Sequence, residues 1–169
     1  GTIIANEDTF DERNLAKAGY PINVNPLEDG SLANYTLIKV PMTSITKEAC
    51  APLGIKPRDA DRSKNFFALG LVSWMYSRPT DTTLDWIKAK FAKNEQVVAA
   101  NTAAFKAGHA FGETAELSAH QVEIKPAKLE PGTYTNIDGN TALSWGLVAA
   151  SNISGIPMFL GSYPITPAS

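Results

Sequence analysis

The stretch Phe66–Tyr76 constrains this chain more than any other. Phe66, Phe67, Leu69, Leu71, Val72, Trp74, Met75 and Tyr76 leave no polar face at helical spacing. A helix of that kind belongs inside a core or against a partner, because no side of it suits water. It cannot cross a bilayer, since Gly70 and Ser73 interrupt it and a span needs roughly 20 apolar residues. Arg58, Asp59, Asp61, Arg62 and Lys64 precede it, so Arg58–Arg78 reads as the longest helix, stopped by Pro79. Composition agrees with a packed protein: 44% of the 169 residues are hydrophobic and 19% charged, which excludes a disordered chain. The length allows one domain and part of a second.

Charge and cysteine narrow the class further. Fifteen Lys and Arg stand against 17 Asp and Glu, a net charge of −2. This is the footprint of neither a nucleic-acid binder nor a polybasic membrane anchor. The single cysteine, Cys50, excludes an internal disulfide and an all-cysteine metal site. No basic segment followed by an apolar run opens the chain, so the expected compartment is the cytoplasm. Both ends read as cut: Gly1-Thr2-Ile3-Ile4 runs straight into a strand, and Thr166-Pro167-Ala168-Ser169 follows a strand and its exit loop.

The remaining elements follow from periodicity and punctuation. Thr2–Asn6 reads as a strand, and Asp8 or Thr9 caps a helix to about Lys17, with Gly19 as its stop. Asn25–Gly30 is turn chemistry. Tyr35–Val40 is the second strand, closed by Pro41, and Thr43 or Ser44 caps a short helix ended by Gly54 and Pro57. Helices follow at Thr80–Lys93 and Asn94–Thr114. His120–Pro131 shows no helical period and reads as an extended connector. Asp138 or Asn140 then caps a helix of small residues, Thr141–Ser154; Gly155 stops it, and Pro157–Leu160 reads as a strand. Strands alternating with helices give an α/β class, helix-rich in its middle.

Candidate chemistry is sparse. His109 and Glu113 lie one helical turn apart, a poor metal site, and His120 has no partner at ligand spacing. Cys50 has no basic neighbour in sequence to activate it and reads as a buried structural thiol. Arg58, Arg62 and Lys64 either meet the phosphates of a nucleotide-like ligand such as coenzyme A, or form a solvated face neutralised by Asp59 and Asp61. Ala104, Gly108 and Gly112 recur every four residues and leave a smooth strip that another backbone can approach closely. No G-x-G-x-x-G or Walker A loop is present, and no nucleophile–base pair is evident. Gly161–Ser169 is a different matter: Pro164 and Pro167 keep this hydroxyl-rich loop out of helix and sheet. Pro167 also pushes Thr166 toward an extended backbone.

Gly139-Asn140-x-Ala142, followed about twenty residues later by Gly161-Ser162-Tyr163-Pro164-Ile165-Thr166-Pro167-Ala168-Ser169, resembles the start of the pyrimidine-binding domain of 2-oxoacid:ferredoxin oxidoreductases. Lys64–Leu71, Ala89–Lys93 and Asn101-x3-Phe105-x2-Gly108 resemble the gamma-type domain of the same enzymes, in the arrangement where gamma and alpha domains are fused. The resemblance implies a Rossmann-like gamma domain (1–119), a linker (120–138) and the first helix–strand–loop of the pyrimidine-binding domain (139–169). It implies oxidative decarboxylation of 2-oxoglutarate, or a pyruvate-like 2-oxoacid, with coenzyme A to acyl-CoA and CO₂, electrons passing to ferredoxin. Thiamine diphosphate with Mg²⁺ and an iron–sulfur cluster are the implied cofactors, held mainly by a beta subunit. Thr166 is the implied substrate contact, with Tyr163, Pro164 and Ile165 shaping the pocket. The activating glutamate is implied to lie beyond Ser169, so the piece alone should be inactive. A non-catalytic docking domain is the alternative expectation.

Overall fold

The computed structural model describes residues 1–115, 117, 121–161 and 163. The chain divides into two compact units, Gly1–Pro126 and Ala127–Ser169. The first is a helix-rich α/β structure. Its strands β1 (Thr2–Asn6) and β2 (Thr36–Val40) lie where the β-branched runs predict them. They pair in parallel, in register from Thr2 opposite Thr36 to Asn6 opposite Val40.

The helix starts differ from the sequence reading. α1 (Glu12–Lys17) is capped by Asp11, whose carboxylate accepts from the Asn14 N–H at 2.8 Å, and not by Asp8 or Thr9. Asp8 instead accepts from the N–H and the hydroxyl of Ser44, both at 2.8 Å. Asn6 accepts from the Met42 N–H at 3.1 Å. The first turn of α2 (Met42–Cys50) therefore finds its acceptors in the segment after β1, and Thr43 and Ser44 lie inside the helix. These partners are 36 residues apart, beyond the reach of any local capping pattern. Gly19 does stop α1: at φ +85° it lets its own N–H reach Ala16 and the Tyr20 N–H reach Leu15.

The single helix expected over Arg58–Arg78 is broken. α3 (Pro57–Ala60) passes into a 3₁₀ turn at Asp61–Ser63 before α4 (Lys64–Met75) begins. The charged residues 58–64 offer no apolar stripe to hold a straight helix. The tighter turn sets Ser63 inward, where its hydroxyl donates to Asn101 Oδ1 at 2.7 Å. α4 ends in a Schellman motif with Ser77 in the left-handed region (φ 49°). The Ser77 N–H reaches the Trp74 carbonyl at 3.0 Å, and the Arg78 N–H reaches that of Ser73 at 2.8 Å.

α5 (Asp81–Lys90) leads to α6 (Glu95–Thr114), where the Asn94 side chain accepts from the Val97 N–H. The core sits between the sheet, α4 and α6, with Ile38, Val40, Met42, Phe67, Leu71, Trp74, Met75 and Ala104 buried together. α4 is thus not buried all round: Phe67, Leu71, Trp74 and Met75 face inward, whereas Leu69, Val72 and Tyr76 are exposed. Phe66 lies between, its ring 5.8 Å from Phe91 and 6.4 Å from Trp86.

The small-residue strip does what its spacing predicts. A Cβ at Gly108 would lie 2.7 Å from the Phe67 carbonyl carbon, and one at Gly70 would lie 2.9 Å from that of Phe105. Both are far inside van der Waals contact, so α4 and α6 touch backbone to backbone. The Trp74 indole lies over Gly112, within 2.6 Å of where a Cβ would stand.

In the second unit, α7 (Gly139–Ser154) is capped by Asp138, which accepts from the N–H and hydroxyl of Thr141 at 2.9 and 2.8 Å. Those bonds hold the Asp138 carboxyl below the ordinary aspartate range. Gly155, at φ +69°, ends the helix. None of the α7 residues is buried. The strand expected at Pro157–Leu160 joins no ladder, because no other described residue of this unit pairs with it. Residues 121–138 carry neither helix nor strand. Among the described residues, no helix is long and apolar enough to cross a membrane.

Two substitutions test this packing by denaturant unfolding. Gly108→Ala should cost about 1–3 kcal/mol, since rigid backbone outweighs the ~1 kcal/mol gain in helix propensity. Gly146→Ala on α7, where a Cβ meets no described atom within 4 Å, should instead stabilise that helix. Separately, Ser77→Gly should raise stability by about 0.5–1 kcal/mol by relieving a left-handed non-glycine residue. A loss there would show that the serine side chain is needed.

Candidate functional site

The break before α4 has a consequence at the surface. Where the α3–α4 junction meets the first turn of α6, a cleft of about 400 Å³ opens. Its apolar wall comes from Ile55, Phe66, Phe91 and Val97, and its polar groups from Asp59, Arg62, Ser63, Asn94, Gln96 and Asn101. Asn101 is only 4% exposed. Its Oδ1 accepts the Ser63 hydroxyl, and its placement on α6 brings the rest of the carboxamide to the cleft. Arg62 is largely exposed and stands 4.0 Å from Asp59.

Of the three cations that either meet a ligand's phosphates or form a solvated face, only one borders this cleft. Arg62 lines it, but Arg58 is exposed on α3 and Lys64 pairs with Asp61 at 3.3 Å, both outside the lining. A larger depression of about 590 Å³ lies beside α1, lined by Phe10, Tyr20, Ile22 and Val24 with Glu12 and Arg13.

Of the expected loop residues, Tyr163 is exposed. Pro164, Ile165 and Thr166 lie outside the described residues, as does His120. His109 is half-buried on α6, and Glu113, one turn on, is exposed. No group of three His, Cys, Asp or Glu among the described residues is placed to hold a metal. Cys50 is fully buried, its Sγ 3.8 Å from the Ala100 carbonyl, and burial pushes the thiol up. It is the structural thiol the sequence suggests, and chemically quiet.

Sequence reasoning missed Ser63, Asn94 and Asn101 as site residues. A signal existed for one of them. Asn101 is a lone amide among Ala100, Ala104 and Phe105 on the apolar face of a long helix, where a polar side chain requires a partner.

Residues 1–111 match the pyruvate ferredoxin/flavodoxin oxidoreductase family. Over all 169 residues the chain is 48% identical to the 2-oxoglutarate oxidoreductase subunit KorA of Mycobacterium tuberculosis. It spans 26% of that protein's length. No solved structure matches the chain.

The polar pair at the cleft floor is testable through stability. Ser63→Ala leaves the buried Asn101 Oδ1 without its donor and should cost about 1–3 kcal/mol in chemical denaturation. A double-mutant cycle with Asn101→Ala should then show coupling; additive losses would mean that the pair contributes nothing jointly.

Proposed function

The chain belongs to the pyruvate ferredoxin/flavodoxin oxidoreductase family, and from that premise we propose that it is a section of a 2-oxoacid:ferredoxin oxidoreductase subunit acting on 2-oxoglutarate. The reaction joins the acyl group left by decarboxylation to coenzyme A, releases CO₂ and delivers two electrons to ferredoxin, one at a time. The observation that carries this reading is the 48% identity to KorA, because it runs the whole chain and so takes in both units. Residues 1–119, within the first unit, form a gamma-type, Rossmann-like domain, supported by its parallel strand pair and the helical crossover between them. Residues 120–138 are its linker, and 139–169 open a pyrimidine-binding domain.

An iron–sulfur cluster does not fit on this chain's residues. A cluster takes several thiolates, and the sequence supplies one cysteine, sealed against Ala100. Among the described residues no three His, Cys, Asp or Glu side chains gather that could hold the Mg²⁺ of thiamine diphosphate. Both groups are assigned to the beta subunit or to other parts of the enzyme, and thiamine diphosphate supplies the electron sink when bound. The contribution proposed for this chain is at the substrate. The Thr166 hydroxyl donates one hydrogen bond to a substrate carboxylate oxygen, with its backbone restricted by Pro167. Tyr163, Pro164 and Ile165 form the adjoining wall.

A second reading, a docking domain without chemistry of its own, draws on the exposed stripe Leu69, Val72 and Tyr76 along α4. One variant of the complete oxidoreductase separates the two. Thr166→Val keeps the branched shape and removes only the donor. It should lower kcat/KM for 2-oxoglutarate about ten- to a hundredfold while thiamine diphosphate binding survives. Unchanged turnover would sink the assignment of Thr166 and favour the docking reading, whereas turnover with pyruvate alone would overturn only 2-oxoglutarate as the substrate.

A further inference from the structure

The last carbonyls of a helix find no donor within it, and at the end of α4 the local turn meets all but one. The Tyr76 N–H reaches the Val72 carbonyl at 3.0 Å, that of Arg78 reaches Ser73 at 2.8 Å, and that of Ser77 reaches Trp74 at 3.0 Å. Met75 is left over. This residue is only 6% exposed, so water is a poor substitute, and its carbonyl accepts instead from the Val122 N–H at 2.6 Å. The Gln121 side chain adds a second bond, from its Nε2 to the Trp74 carbonyl at 3.3 Å.

These donors reach the helix from outside the core. Gln121 and Val122 are both exposed, Val122 by 52%. Glu123, Ile124 and Lys125 beyond them are exposed too, and their N–H groups make no backbone hydrogen bond to a described residue. On the other side of the pair, Leu117 packs against the core of α4, α6 and the sheet. The segment leaving α6 is therefore held at two unequal points, by apolar packing at Leu117 and by two hydrogen bonds at Gln121 and Val122. The second hold opens at far less cost than the unit unfolds, because little apolar surface leaves the core when it does.

We propose that Gln121 and Val122 form a releasable latch that closes α4 and sets the length of the connector between the two units. Engaged, it anchors the connector at Val122. Released, the anchor moves back to Leu117 and the Met75 carbonyl opens to water. The connector then gains up to roughly 17 Å of reach, at about 3.4 Å per residue. The packing of the first unit survives release, since α4 and α6 are joined at Gly70 and Gly108 and not through the latch.

Hydrogen exchange resolved to single amides, on the intact complex containing this chain, tests the latch. The Val122 amide should be protected at least about tenfold more than that of Glu123, and far less than that of Phe105 in the core of α6. Gln121→Ala, at an exposed position, should lower the Val122 protection severalfold. Val122→Pro removes the N–H altogether. It should speed cleavage after Glu123 by a glutamate-specific protease at least about tenfold, measured against the unfolded chain of the same variant. A Val122 amide that exchanges as freely as Glu123 would show that nothing is latched. One protected as strongly as Phe105 would show that the segment opens only when the whole unit unfolds. Either result overturns the proposal, as does Val122 protection untouched by Gln121→Ala or cleavage untouched by Val122→Pro.

Discussion

The contact on which the first unit depends is the backbone-to-backbone approach of α4 and α6 at Gly70 and Gly108. Each glycine faces a carbonyl of the other helix, so the helices come closer than side chains would allow. That approach fixes what lies at each end of the pair. Toward one end, Trp74 seats over Gly112, while Phe67, Leu71 and Met75 reach Ile38 and Val40 of the sheet. Toward the other, the chain entering α4 is brought against the first half of α6, where Ser63 and Asn101 are buried together.

Polar groups complete what the helix contact begins. Asn6 and Asp8 supply the acceptors for the start of α2 and thereby tie the end of β1 to a helix far along the chain. The Trp74 and Met75 carbonyls at the end of α4 are met by Gln121 and Val122, so the segment beyond α6 returns to close that helix. Cys50, wedged against Ala100, occupies a second small core with Ala60. In each case a terminal or buried backbone group is satisfied by a residue distant in sequence.

The fold was more legible than the site. The two strands, the stops at Gly19 and Gly155 and the close-approach strip on α6 follow from residue type and spacing, and Asp138 is one of the two caps those left open for α7. Of the basic trio, Arg62 pairs with Asp59 and Lys64 with Asp61, the neutralised face that their spacing offered as one of two readings. The all-round apolar character of α4 concealed which face is inward. The glycine at 70 selects the face, but only once the Phe105 carbonyl of α6 is known to be opposite. The family was legible from the Gly161–Ser169 loop and the gamma-type stretches, and both the family match over residues 1–111 and the relative aligned along all 169 residues agree with it.

By itself, the sequence determined the α/β class, the main helices, the quiet role of Cys50 and the family. These rest on local periodicity, on backbone freedom at glycine and proline, and on short motifs, all of which are properties of neighbouring residues. Tertiary structure alone decided which residues cap α2, which face of α4 is buried, and that Arg62, Ser63, Asn94 and Asn101 border one cleft. Those outcomes depend on groups tens of residues apart satisfying one another's hydrogen bonds and packing surfaces. No local pattern encodes that pairing until the backbone of α4 has met that of α6.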